Sequence, residues 1–252
     1  MRYILFVILY SLALTSWAKD LPLIAVASNL RFAVEEIARQ FQQDTGKTLQ
    51  ISYGSSGHLS QQITHGAPFE LFLSANQQFI ERLPTDLVAA SNVFAYGQLV
   101  LLTSNQANLT IDSQLQSLKQ QPVQQKLHYF AIANPAHAPF GIAARNVMQT
   151  TGLWHSLKSK LVKGENAAQA VQFVTTGFAQ AGLVPYSLAL APTVKEKTQA
   201  VLLATPLQPE LAQSAALLQG SGRTAQQFYH YLQQSPAQSV LLRYGYRLPT
   251  GH

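Results

Sequence analysis

The stretch that most constrains this chain is Tyr53–Ala75, YGSSGHLSQQITHGAPFELFLSA, because it places two hydroxyls at the mouth of a helix set between two strands. Leu49, Ile51 and Tyr53 alternate with Gln50 and Ser52, the period-two pattern of a strand. Gly54-Ser55-Ser56-Gly57 breaks that pattern, and Ser55 or Ser56 caps a short helix carrying Leu59 and Ile63, with Gly66 as its stop. Phe69–Leu73 reads as the next strand. A helix start carries unpaired N–H groups and a partial positive charge, so a glycine-flanked serine pair there is either a simple cap or a seat for a small anion.

A second junction just upstream favours the anion. Leu23–Ala27 is a short apolar run ending in Ser28-Asn29, followed by Val34, Ile37, Ala38 and Phe41 at helical spacing, with Ser28 or Asn29 as the cap. Two successive strand-to-helix junctions place their donors together at the carboxyl ends of parallel strands, where open α/β sheets bind ligands.

The rest of the chain repeats the arrangement. Gln98–Thr103 and Leu127–Ala133 read as strands, separated by a polar segment with one surface helix near Gln114–Lys119. Asn134–Gly141 is then a loop before a helix Ile142–Thr151, with Pro139 fixing the approach and the N–H groups of Phe140 and Gly141 free. Lys160–Lys163, the turn Gly164-Glu165-Asn166 and a helix Ala167–Thr176 form another such unit, and Ala181–Val184 is a strand ending in Pro185-Tyr186-Ser187. Ala215–Leu218 and a helix Ala225–Gln234 then return to the first block. This order predicts a two-lobed α/β protein, each lobe a sheet sandwiched by helices, with a first lobe of 19–97 plus 213–252, a second of 98–212, and the ligand in the cleft between them.

Residues 1–18 read as a cleavable export signal: Arg2, an apolar run from Tyr3 to Leu14, and Ser16-Trp17-Ala18 as the cleavage motif. The apolar run is shorter than the roughly 20 residues of a membrane span. With no cysteine in the chain, disulfides and a lipid-anchored cysteine are excluded. The expectation is a periplasmic monomer without a membrane anchor after cleavage. The net charge of +6 is scattered, with no basic stripe interleaved with aromatics, so nucleic-acid binding is unsupported.

VASNLRFAVEEIARQF and TGKTLQISYGSSGHLSQQITHGAPFELFLSAN resemble the N-terminal half of the ModA family, the molybdate-binding solute receptors of ABC transporters, and ANPAHAPFG, LVKGENAAQAVQFV, AGLVPYS and RYGYRL continue the likeness through the mature chain. The resemblance implies a type II periplasmic-binding-protein fold, no enzymatic activity, no cofactor, molybdate or tungstate as ligand, and an inner-membrane ABC permease as partner. It places Ser28 and Ser56 at the family's two serine contacts and Asn29 at a position that donates in the branch with GSSG. Phe140 and Ala167 fall where the family uses main-chain N–H groups; Ser55 is a further candidate. The family's tyrosine donor falls on Pro185, so the site has one donor fewer or Tyr186 reaches in. Molybdenum enters only as the bound oxyanion through these residues.

Other readings stay beside this one: a binding protein for sulfate, a sensor without a transporter, and a serine hydrolase built on Ser55 or Ser56. For the hydrolase, His58 on the same turn is badly placed as a base, and the run is not a nucleophile elbow. His58, His65 and His137 show no metal-ligand spacing and read as solvated or capping residues. Arg31 reads as solvent-facing, with steering of the anion as its functional alternative, and Tyr244-Gly245-Tyr246 as terminal packing.

Overall fold

The computed structural model describes residues 21–249, so the expected signal at 1–18 lies outside the described residues. Among them, no helix is long and apolar enough to cross a membrane.

Two five-stranded mixed sheets organise the chain. The first contains β1 (Leu23–Ala27), β2 (Gln50–Gly54), β3 (Leu71–Ser74), β4 (Val88–Gly97) and β10 (Leu211–Leu218), in the order β2-β1-β3-β10-β4. β1 runs parallel to both β2 and β3, while β10 is antiparallel to β3 and β4. The second contains β5 (Leu99–Ser104), β6 (Phe130–Ala133), β7 (Leu161–Gly164), β8 (Ala181–Pro185) and β9 (Thr198–Leu202), in the order β7-β6-β8-β5-β9. Here β6 is parallel to β7 and β8, and β5 is antiparallel to β8 and β9. The two-lobed α/β architecture expected from the sequence is thus present. β10 begins at Leu211, ahead of the return expected at 213.

The inner strands are continuous apolar runs because helices cover both faces: β3, β5 and β6 are buried along their whole length. Helix α1 (Arg31–Thr45) buries Ala33, Val34, Ile37 and Phe41, one stripe at helical spacing, and stops at Gly46, whose φ of 69° suits glycine. Phe41 meets Phe228 and Tyr231 of α10 (Arg223–Tyr231) edge-on, with ring centroids 5.2 and 5.3 Å apart, and each such pair adds about 0.5–1.5 kcal/mol beyond area burial.

The chain crosses between sheets at Gly97–Gln98 and again between β9 and β10. Gln208 fastens the crossing: its side-chain amide accepts from the Leu99 N–H and donates to the Leu99 carbonyl, both at 2.9 Å. The C-terminal segment is held by a two-bond bridge between Tyr96 and Arg247, 2.7 and 2.9 Å, which carries Tyr246 beneath the start of α1.

Several local expectations change. Ser28–Leu30 forms a 3₁₀ turn without a side-chain cap, so neither Ser28 nor Asn29 caps α1. Ser55, not Ser56, is the side-chain cap of α2 (Ser56–Thr64). Helix α5 (Pro139–Thr150) starts before the expected Ile142, since proline is preorganised for a first helical position. The polar segment after β5 carries short 3₁₀ turns and a helix at Gln121–Lys126 in place of the helix expected at Gln114–Lys119.

Candidate functional site

Four helix starts converge on one small cavity. They are the 3₁₀ turn at Ser28, α2 at Ser56, α5 at Pro139-Phe140, and α7 (Ala167–Thr175), the last capped by the Asn166 side chain, which accepts from the Gln169 N–H at 3.1 Å. The cavity is small, about 10 Å³, and is lined by Ser28, Asn29, Ser55, Ser56, Phe140 and Ala167 with small neighbours such as Gly54, Ala75 and Pro139. Sites for drug-sized ligands run to about 300–1,000 Å³, so this one suits a compact ion. Among the described residues, no charged side chain lines it.

The lining is rich in donors. Ser56 and Ala167 open their helices and Phe140 follows Pro139, so their N–H groups have no intrahelical acceptor; the Ser28 N–H instead continues the β1–β2 ladder, whose parallel register pairs Ala27 with Gly54. Gly141 likewise donates to the Ala138 carbonyl at 2.9 Å and is not free. Gly141 is needed for a different reason: a Cβ there would lie 2.2 Å from the Ala133 carbonyl oxygen, where α5 leaves β6. The Ser56 hydroxyl accepts the Ala75 N–H at 3.0 Å and the Ser28 hydroxyl accepts the Ala168 N–H at 3.4 Å, so each keeps its own proton to give to a ligand.

The Asn29 side chain is tied into the fold beneath the cavity. The Gln213 amide nitrogen donates to the carbonyls of Ala75 and Leu211, so its oxygen must accept, and it accepts from Asn29 Nδ2 at 2.7 Å. Asn29 Nδ2 also donates to the Tyr246 hydroxyl at 3.1 Å, while Tyr246 and Ser187 both donate to the Asn29 carbonyl, at 2.9 and 2.8 Å. Both amide protons are thereby engaged, which leaves the main-chain N–H as the Asn29 group for a ligand. Burial pushes the Tyr246 phenol far above its ordinary pKa, against the opposing hydrogen bonds to Ser187 and Asn29, so it stays protonated. Gln213 and Ser187 were not legible as site residues, and Tyr246 carried only the RYGYRL likeness as a signal.

Tyr186 stands outside this cavity. Its N–H donates to the Gln98 carbonyl at 2.9 Å and its ring packs against Gly245, where a Cβ would lie 2.5 Å from the ring. Arg31 lies over the Tyr53 ring at 4.8 Å and lines a groove that reaches Ser28 from outside.

The lobes touch directly around the cavity. Gly57 N–H donates to the His137 carbonyl at 2.9 Å, and Ser55 Oγ lies 2.9 Å from His137 Nδ1. His137 Nε2 is 3.4 Å from Glu165 Oε1, and His58 Nδ1 is 3.2 Å from the same oxygen. Burial holds the His137 imidazole below its ordinary pKa, His58 beside it acts in the same direction, and Glu165 opposes. Ser55, His137 and Glu165 therefore make the serine–histidine–carboxylate sequence of contacts that His58 could not supply. Glu165 is mostly exposed, however, and the cavity beside Ser55 admits only a small group. His65 bonds the Gln61 carbonyl through Nδ1 at 2.7 Å, a helix-capping contact.

Residues 22–247 match the family model described as a bacterial extracellular solute-binding protein. The molybdate-binding protein ModA of Azotobacter vinelandii is 36% identical over 230 residues, covering 89% of each chain. ModA of Rhodobacter capsulatus is 34% identical over 227 residues, covering 88% of this chain and 86% of that protein. The solved structure of the Azotobacter vinelandii periplasmic molybdate-binding protein superposes with a TM-score of 0.82 at 26% identity, over 91% of this chain and all of that one. Fold and site thus define a two-lobed extracellular solute-binding protein. Within that class, the chain belongs to the ModA family.

Proposed function

We propose that this protein captures molybdate in the interlobe cavity and delivers it, after export to the periplasm, to an ABC permease, with tungstate as a second ligand. The observation that carries the reading is a cavity lined by main-chain N–H groups and serine hydroxyls, with no charged side chain among the described residues. Such a cavity stabilises a tetrahedral dianion through hydrogen bonds worth about 1.5–3 kcal/mol each. Five to seven donors, less ordering costs, correspond to roughly −8 to −12 kcal/mol, micromolar to nanomolar affinity.

The proposed ligand contacts are the hydroxyls of Ser28 and Ser56 and the main-chain N–H groups of Asn29, Ser56, Phe140 and Ala167. Donors cannot accept a proton, so a protonated oxyanion such as hydrogen phosphate leaves its hydroxyl unpaired and is disfavoured. Sulfate carries no such proton and is discriminated by size alone. Molybdate and tungstate differ in neither respect and should be held alike.

A melting-temperature screen with molybdate, tungstate, sulfate and phosphate tests this. Ligand at 100 times its dissociation constant adds about 2.7 kcal/mol of stability. Molybdate and tungstate should raise the melting temperature and phosphate should not; equal stabilisation by phosphate contradicts the reading. Turnover of a generic ester by the same preparation, lost on Ser55→Ala, would support the hydrolase instead.

A further inference from the structure

Outside the anion cavity, the fold assembles three side chains that the sequence keeps far apart. His58 comes from the first turn of α2, His137 from the loop between β6 and α5, and Glu165 from the turn between β7 and α7. Their ligand atoms all lie within 4.8 Å of one another. Ligands held about 2.0–2.1 Å from a tetrahedral zinc ion are separated by about 3.3 Å. The 3.2 and 3.4 Å separations of His58 Nδ1 and His137 Nε2 from Glu165 Oε1 have that spacing.

His137 is also oriented as a metal-binding histidine is. Its Nδ1 lies 2.9 Å from Ser55 Oγ, the kind of contact that fixes the tautomer and turns Nε2 outward as the ligand atom. In the tautomer whose Nδ1 proton goes to Ser55, Nε2 presents its lone pair toward Glu165, where a shared cation would satisfy both. The ring is fixed: the His137 side chain is 12% exposed, whereas His58 is 42% and Glu165 59% exposed. The two imidazoles stack at 3.9 Å with planes 23° apart, so the freer His58 ring must swing about its χ angles to bring its lone pair into line.

We propose that His58, His137 and Glu165 form an interlobe site for one divalent cation of the zinc class. Two imidazoles and one carboxylate suit that ion, and the exposed side leaves a fourth position for water. None of the three residues lines the anion cavity. His58 belongs to the lobe of the first sheet, and His137 and Glu165 to the lobe of the second. The ligand set is therefore complete only when the lobes are closed, and cation binding and any other event that favours closure reinforce one another reciprocally.

The test is calorimetric titration of zinc chloride into full-length mature protein, stripped with a chelator, dialysed into a non-coordinating buffer and free of oxyanions. One zinc ion per chain is expected. His58→Ala, His137→Gln and Glu165→Gln should each weaken it by at least about tenfold. His65→Ala should bind as the parent does, and circular dichroism confirms that each variant is folded. Absence of a single-site isotherm overturns the proposal, as does parental affinity in folded His137→Gln or Glu165→Gln, or a loss confined to His65→Ala. Because no oxyanion is present, the outcome is independent of what the neighbouring cavity binds.

Discussion

The Gly57 N–H donates to the His137 carbonyl at 2.9 Å, and this bond ties the start of α2 to the loop that precedes α5 in the opposite lobe. A Cβ at Gly57 would lie 2.7 Å from that carbonyl oxygen and 2.9 Å from the His137 Cβ. Gly57→Ala should therefore obstruct closure while leaving the lobes intact, since alanine favours a helix by about 0.5–1 kcal/mol over glycine. The expected result is molybdate affinity weakened about tenfold or more, 1.4 kcal/mol, with the ligand-free melting temperature unchanged or raised. Parental affinity by calorimetry would show that the contact is not needed for binding.

Ser28 and Ser56 should separate affinity from stability. Ser56→Ala removes a ligand donor and strands the buried Ala75 N–H, so it should weaken binding by about 1.5–3 kcal/mol and cost the fold about 1–3 kcal/mol. The Ser28 hydroxyl accepts only a long 3.4 Å contact, so Ser28→Ala should show the binding loss with little change in melting temperature. Stability loss in either variant without any change in affinity would leave the hydroxyls a purely structural role.

Main-chain binding is tested most cleanly at Ala167. Asn166 has φ −148° and ψ 178°, an extended backbone that tolerates a following proline, and proline is favoured at the first helical position. Ala167→Pro should thus fold, yet lose one hydrogen bond to the anion, about 1.5–3 kcal/mol. Ala167→Gly should bind close to the parent. Phe140 is a poorer probe because its ring is buried close to Gly97, and its removal would open a cavity between the lobes. Equal calorimetric affinity for folded Ala167→Pro and Ala167→Gly would remove this N–H from the site.

His137 carries a pH dependence. Its folded pKa lies below the ordinary value of about 6.5, so the unfolded chain takes up the proton first as pH falls. The groups facing it are His58, Glu165 and Ser55. Its contribution to stability is present above about pH 6.5 and is lost as the pH drops through the folded pKa. Urea unfolding from pH 8 to 5, in chelator, should show this loss in the parent and a flatter profile in His137→Gln; identical profiles would contradict it.

What the sequence disclosed follows from the range of the interactions concerned. The junctions at Ser28, Ser56, Phe140 and Ala167 are local features, glycine, proline or small polar residues between an apolar run and a helical repeat, and each is found at a helix start. β4 was missed because Val88–Gly97 is a partly exposed edge strand rich in alanine, serine and asparagine, with little apolar alternation. The engagement of the Asn29 side chain was hidden because Gln213 and Tyr246 reach it only through the pairing of β10 with β3 and the Tyr96–Arg247 bridge. The His58–His137–Glu165 group had no spacing to read, since lobe closure alone assembles it.

On the proposed reading, a cavity of neutral donors selects a fully deprotonated tetrahedral oxyanion. Calorimetric titration of the mature protein with molybdate and with phosphate at pH 7 tests it most directly. The expected result is one molybdate per chain with a dissociation constant between about micromolar and nanomolar, and no measurable heat of binding with phosphate. Absence of molybdate binding by folded protein, or phosphate bound with comparable affinity, would contradict it.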